Sequence, residues 1–339
     1  MSAENERLRK YILGAQKGAA WLAAQQGDDG SLLPEWGVGS VYKTLWAFIA
    51  TGHLREAHLL LNWTRDHLMT APGEFHVRNE NAFEAGQTLY RNAFIVIGAL
   101  KLGRFDVASQ AALQRVLQYQ HRSGGFFATI PGDGEAQLNP LFAAMGGWTA
   151  LYFGRYAEAR RAGDFLALVM DLQPGPADEL YFVYDTRTGA LVADPPAGER
   201  LAYRIDATNP RQHFFYSGIS AGFLAELYQA TGEARYLDYA ERYVAFSRRS
   251  GGQAFHWPSK CKDGWGAALV YRITHKPEHL ELAQQVADIT FLGAQHENGH
   301  WDDFVVPFHD DYTGVTLPGL EITAEFTFEL MEVVKGLSI

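Results

Sequence analysis

The stretch 308–314, FHDDYTG, is the densest polar loop in the chain, and a helical run presenting Glu321 and Glu325 four residues apart follows it. Histidine titrates near neutral pH and an adjacent carboxylate can fix its tautomer. His309 with Asp310 or Asp311 is therefore a candidate base and orienter. The same residues can cap the following helix or hold a cation. A single histidine beside two carboxylates is not a zinc signature, however, and no EF-hand spacing is present. Glu321 and Glu325 share one helix face, where they can divide acid and base roles, orient a histidine, or serve as caps and surface charge. Glu84, Thr88 and Arg91 lie at offsets of four and three within an apolar run. On one helix they face a cavity together, or Glu84 and Arg91 form an internal salt bridge. Tyr216 completes the catalytic candidates.

The long connections supply candidate binding residues: Trp36, Tyr42, Arg78, Arg91, Arg204, Asp206, His213, His256, Trp257, Cys261, Trp301, Asp303 and Tyr312, with Lys43 beside Tyr42. Cys261 lies between Lys260 and Lys262, charges that lower a thiol pKa, but a lone cysteine in an apolar helix also reads as a small core residue. Gly37-Val38-Gly39 and Gly251-Gly252 lack the strand-turn-helix setting of a phosphate loop, so no cofactor is expected, and no metal site either.

A formal charge of -10 with no basic block argues against nucleic acid and leaves a small molecule as the expected partner. One cysteine excludes an internal disulfide and a cysteine-rich metal site. Charged residues interrupt every apolar run near the N-terminus, so neither a leader nor stable membrane insertion is expected, and a cytoplasmic location follows. Oligomeric state is not legible.

These residues need a scaffold, and the periodicity predicts twelve helices: 7–26, 38–49, 54–68, 82–102, 106–120, 139–153, 156–171, 217–230, 233–249, 262–274, 278–296 and 319–335. Odd helices are amphipathic and even ones more apolar. Even-to-odd connections are short, whereas odd-to-even connections are long. Alternating apolar residues around Thr188-Gly189 predict a small β-hairpin near 180–194. The expectation is an all-α protein in one domain over 1–339: an (α/α)6 toroid of six hairpins, inner helices in a ring and long loops on one face.

LAAQQGDDGS, LQYQHRSGGFF and LGAQHENGHWDD resemble the Gln- and Gly-marked helix ends of terpene cyclases and protein prenyltransferases. LYQATGEARYLDYAERY resembles the helical repeats of sugar epimerases and unsaturated glucuronyl hydrolases. The resemblance covers most of the chain as architecture and implies the toroid. The Asp-Xaa-Asp-Asp motif of class II cyclases and the prenyltransferase zinc ligands are both absent. The expected function is cofactor-independent acid/base chemistry: elimination, isomerisation or cyclisation of a small organic substrate, terpenoid-like ones included. The alternative is a carbohydrate hydrolase or epimerase in which Trp257 and Trp301 stack on sugar faces. A non-enzymatic ligand-binding or helical interaction protein is the third.

Overall fold

The computed structural model describes residues 3–32, 39–76, 82–130 and 136–338. Twelve principal helices are present among them. The odd-numbered ones are α1 (Ala3–Ala24), α3 (Leu54–His67), α5 (Gln110–Leu117), α7 (Tyr156–Asp171), α9 (Ala234–Ser247) and α11 (Pro277–Gln285). The even-numbered ones are α2 (Gly39–Thr51), α4 (Thr88–Lys101), α6 (Pro140–Tyr152), α8 (Phe215–Thr231), α10 (Cys261–Thr274) and α12 (Gly319–Leu337). Even helices touch one another in order from α2 to α12, and α12 closes the ring against α2 and α1. They are buried on nearly every side, whereas the odd helices bury one stripe and lie outside. The (α/α)6 toroid is thus formed as its periodicity predicts. No described helix is long and apolar enough to cross a membrane.

Five of the six inner helices run into the next outer helix through a left-handed residue: Gly52, Gly103, Gly154, Gly232 and, in the fifth turn, His275 at φ 54°. Glycine meets this conformation without a Cβ penalty and ends the helix there. The opposite connections share a second device. In three outer-helix ends a glutamine side chain donates to the carbonyl of the glycine four residues on and to a carbonyl of the next outer helix. Gln26 reaches Gly30 and Glu56, both at 3.1 Å. Gln120 reaches Gly124 at 3.1 Å and Glu158 at 2.9 Å. Gln295 reaches Gly299 at 3.0 Å and Gly14 at 2.9 Å, tying the last hairpin to the first.

The long loops carry short antiparallel strands: β1 (Met69–Ala71) with β2 (Glu74–Phe75), β3 (Gln137–Leu138) with β5 (Tyr184–Asp185), β5 with β6 (Ala190–Leu191), β4 (Glu179–Tyr181) with β7 (Arg204–Asp206), and β8 (Phe304–Pro307) with β9 (Gly314–Leu317). The expected hairpin is β5–β6, pairing Tyr184 with Leu191. Two helices depart from expectation. The fourth does not run unbroken from 82: a one-turn helix, Ala82–Ala85, stops before Gly86, and α4 begins at Thr88. Leu89 gives its N–H to the Ala128 carbonyl at 2.9 Å, which diverts the backbone. The offsets linking Glu84 to Thr88 and Arg91 are therefore not those of one helix. The eleventh widens into a π turn over Val286–Phe291, whose last carbonyl accepts from the Trp301 indole at 2.8 Å.

Within the ring, Trp46, Phe94, Trp148, Trp265 and Phe328 form an aromatic floor. Trp148 and Trp265 stack at 4.9 Å and 4°. Trp46 and Phe328 pack at 5.6 Å, and Trp265 and Phe328 at 5.8 Å. The inner helices place their N-terminal turns above this floor, on the long-loop side.

Candidate active site

Above the floor, α2, α10 and α12 bring together a buried ladder of alternating charge. Glu321, Glu325 and Glu329 recur every four residues and so line one stripe of α12. The stripe faces Tyr42 and Lys43 on α2 and Lys262 on α10. Tyr42 donates to Glu321 Oε1 at 2.6 Å, and Lys43 Nζ reaches the same oxygen at 2.8 Å. Lys43 also donates to Glu325 Oε2 at 2.7 Å. Lys262 bonds the other oxygen of Glu325 and, at 3.0 Å, Glu329 Oε1. Every member is less than 7% exposed, so each charge is stabilised by its neighbours rather than by water.

Protonation follows from this order. Burial works against the charge of Lys43, but Glu321 and Glu325 overcome it and hold the ammonium well above the usual lysine range. Lys262 is raised in the same way against its own burial, chiefly by Glu325 and Glu329, since Cys261 beside it stays a neutral thiol. Burial would also raise Glu325, yet the two lysines bring it down to about 2. Glu329, deepest of the three, is pushed up to about 7 by burial, with the charge of Glu325 adding and Lys262 opposing. Two ammonium groups thus flank an ionised Glu325, and Glu329 keeps its proton into the neutral range. Burial and the Coulomb field of Glu329 raise Cys261, leaving a thiol rather than a thiolate.

Glu321 sits nearest the start of α12. Both of its hydrogen bonds fall on Oε1, and among the described residues Oε2 accepts none. It therefore combines a carboxylate oxygen that no described residue engages with a phenol and an ammonium held at the other oxygen. That grouping can take a proton from carbon and return one to carbon or oxygen.

An aromatic wall adjoins the ladder. Lys262 Nζ lies 6.0 Å from the Phe215 ring centre, and Phe215 stacks on His213 at 5.2 Å. Tyr216 stacks on Phe182 at 3.9 Å, and Phe308 stands edge-on to His213 at 6.2 Å. Burial brings His213 down to about 4, against a hydrogen bond to the Pro307 carbonyl, so the imidazole is neutral. Its Nε2 is buried without a partner among the described residues.

Of the residues singled out from sequence, Tyr42, Cys261, Glu321 and Glu325 meet in the ladder, and His213 and Tyr216 in the wall. Arg91 is buried on α4. His309 is exposed near the tip of the β8–β9 hairpin, and its neighbours are engaged elsewhere. Asp310 bonds Arg200 at 2.8 Å, while Asp311 closes its own turn on Thr313 at 2.7 Å. The structure thus shows neither carboxylate orienting the His309 ring. Arg204 pairs with Glu179 across β4–β7, and Asp206 closes a turn on Thr208 at 2.6 Å. Tyr312 bonds Asn209. His256 is exposed, and half-buried Trp257 donates to the Gln212 carbonyl at 3.1 Å. Trp301 is sealed in the core, which removes its ring face from stacking, and Asp303 caps Gly319 at 2.6 Å. Trp36, Arg78 and the side chain of Glu84 lie outside the described residues. Glu329 and the role of Lys262 escaped the sequence reading. The four-residue spacing continuing from Glu321 through Glu325 was the signal for Glu329.

No described protein family matches this chain, and no curated protein is similar to it in sequence. Solved structures are similar in fold. A D-mannose isomerase superposes with a TM-score of 0.64 at 12% identity, covering 99% of each chain. An unsaturated glucuronyl hydrolase specific for heparin gives 0.63 at 12% identity, again covering 99% of each. The chain has the toroid of these sugar enzymes. Cellobiose 2-epimerase from Bacillus thermoamylovorans gives 0.64 at 11% identity, covering 96% of this chain and 99% of that one. At such identities the likeness describes the fold, and the chemistry rests on the ladder and its wall.

Proposed function

We propose that the protein is a cofactor-independent sugar isomerase or epimerase working at the long-loop face of the toroid. The observation that carries this reading is Glu321, with Oε1 bound by Tyr42 and Lys43 and no described residue donating to Oε2. Removing a proton from the carbon beside a carbonyl needs a base, and a cation or donor for the enolate oxygen that results. Glu321 Oε2 takes the proton, the C–H electron pair forms the enediolate double bond, and the carbonyl π electrons move to oxygen. The Lys43 ammonium, which has three N–H donors, stabilises that oxygen while Tyr42 stays bonded to Glu321 Oε1. Returning the proton to the neighbouring carbon isomerises the sugar, and returning it to the same carbon after the enediolate has turned its other face to Glu321 epimerises it.

A sugar also suits the two-sided site. Its hydroxyls match the charged ladder, and its C–H face matches Phe215, Tyr216 and Phe182. A terpenoid hydrocarbon offers no carbonyl or hydroxyl for Glu321 and Lys43 to act on, which disfavours cyclisation. Hydrolysis needs a proton-donating carboxyl beside the glycosidic oxygen. Glu329 holds its proton but is fully buried beneath the other two glutamates.

The test is product analysis with the purified protein on aldose and ketose monosaccharides, reducing disaccharides, an α-1,6-linked mannan and an unsaturated uronide disaccharide. An epimeric or isomeric product is expected, with turnover by Glu321→Gln lower by about 10²–10⁴-fold. Glycosidic cleavage without interconversion would transfer the site to the hydrolase reading, and no turnover on any of these would remove the sugar assignment.

A further inference from the structure

The helix end at 295–303 holds more chemistry than its turn requires. Gln295 and Gly299 make the same bonds as their counterparts in the turns at 26–30 and 120–124. Those turns form with Gly27 and Ser31, or His121 and Gly125, where this one has His296 and His300. The two histidines are thus surplus to the backbone geometry.

Their rings stack at 4.3 Å and 14°, and Trp21 covers the other side of His300 at 5.5 Å. Asn298 Oδ1 is an acceptor only and lies 2.6 Å from His300 Nδ1, so Nδ1 carries the proton and Nε2 keeps its lone pair. Both Nε2 atoms converge on Asp302 Oδ1, His296 at 3.0 Å and His300 at 3.9 Å. The three ligand atoms lie within 4.8 Å of one another, beside a cleft of about 410 Å³ that Trp21, Asp302 and Asp303 help to line.

We propose that His296, His300 and Asp302 bind a first-row divalent metal ion, with Zn²⁺ the best match to two imidazoles and one carboxylate. Ligand atoms on one tetrahedral zinc stand about 3.3 Å apart, given bonds of about 2.0–2.2 Å. The two measured spacings bracket that value. Asn298 takes the orienting role that a metal-bound histidine needs from its second ring nitrogen. Three protein ligands leave a coordination position for water or a small anion. The site is separate from the ladder and does not depend on the sugar assignment.

The experiment is titration of the chelator-stripped full chain with Zn²⁺ by calorimetry, and with Co²⁺ by its visible d–d absorption. One ion per chain is expected at micromolar or tighter affinity. His300→Ala and Asp302→Asn should each weaken binding by more than about tenfold, and Asn298→Ala by about tenfold. All four residues lie at the surface or partly exposed, so circular dichroism should report unchanged folding. Absence of saturable binding, or equal binding by wild type and His300→Ala, would overturn the site.

Discussion

Glu321, Glu325 and Glu329 show how one stripe of identical residues acquires three different protonation behaviours. Position in the ladder decides each. Glu325, between two ammonium groups, stays ionised, whereas Glu329 keeps its proton until about pH 7 against an ordinary value of 4.5. The sign of the resulting stability change can be worked out. Between those two values folded Glu329 holds a proton that the unfolded chain has lost, so its contribution is full below 4.5 and disappears as pH rises through about 7. Glu325 acts oppositely, contributing above 4.5 and losing that contribution as pH falls through about 2. Glu329→Gln mimics the neutral form. Denaturant midpoints should therefore show this variant gaining on wild type from about pH 5 to about pH 8. A difference that does not change with pH would contradict the assignment. Lys43→Met should cost about 3–5 kcal/mol, because it leaves the carboxylates of Glu321 and Glu325 buried with less positive charge. Chemical denaturation measures that loss, and a cost under about 1 kcal/mol would mean water has entered the ladder. Part of this site was legible in the sequence: helical spacing alone places Glu321 and Glu325 on one face. Lys262 was hidden because its importance comes from a carboxylate stripe 63 residues downstream, on another helix. The grouping of His309 with two aspartates looked catalytic because adjacency in sequence says nothing of where a turn sends each side chain.

The repeating turns explain how helices with little sequence likeness take equivalent places. Gly30, Gly124 and Gly299 all have φ between 90° and 100°, and a Cβ on each would meet a backbone carbonyl oxygen of the next outer helix at 2.4, 2.0 and 2.4 Å. Gly154 is also left-handed, but a Cβ there would meet nothing within 4 Å. The two classes should separate on substitution. Gly154→Ala should cost about 1–2 kcal/mol from backbone strain alone. Gly124→Ala should cost about 2–4 kcal/mol, since the strain is joined by overpacking that Arg161's main chain cannot relieve. Thermal or denaturant unfolding of the two variants gives the comparison, and equal losses would show that the turn does not fix the spacing of outer helices. These turns and the alternation of apolar and amphipathic helices were readable because both are local and periodic. The break at Gly86-Gln87 was not, since a hydrogen bond from Leu89 to distant Ala128 decides where α4 begins. The β-strand pairs beyond β5–β6 were missed for a related reason: two- to four-residue strands carry too little alternation to stand out from loop.

At the scale of the whole molecule, the ring supplies what no single hairpin has. Inner helices from the first, fifth and sixth hairpins must meet before Tyr42, Lys43, Lys262 and the glutamate stripe form one ladder, and closure of α12 on α2 brings them together. The aromatic cluster of Trp46, Phe94, Trp148, Trp265 and Phe328 packs the inner helices against one another within the ring. The proposed chemistry follows from this arrangement, with the Glu321 side chain at the start of α12, cations beside it and an aromatic wall from α8 and the neighbouring loops. The most direct measurement is solvent deuterium wash-in, followed by proton NMR, on a sugar that the protein interconverts in D₂O. The account predicts loss of the signal from the hydrogen beside the carbonyl during turnover, and a fall of about 10²–10⁴-fold in that exchange for folded Glu321→Gln. Interconversion without deuterium entering that position, or wild-type exchange by Glu321→Gln, would contradict proton transfer by Glu321.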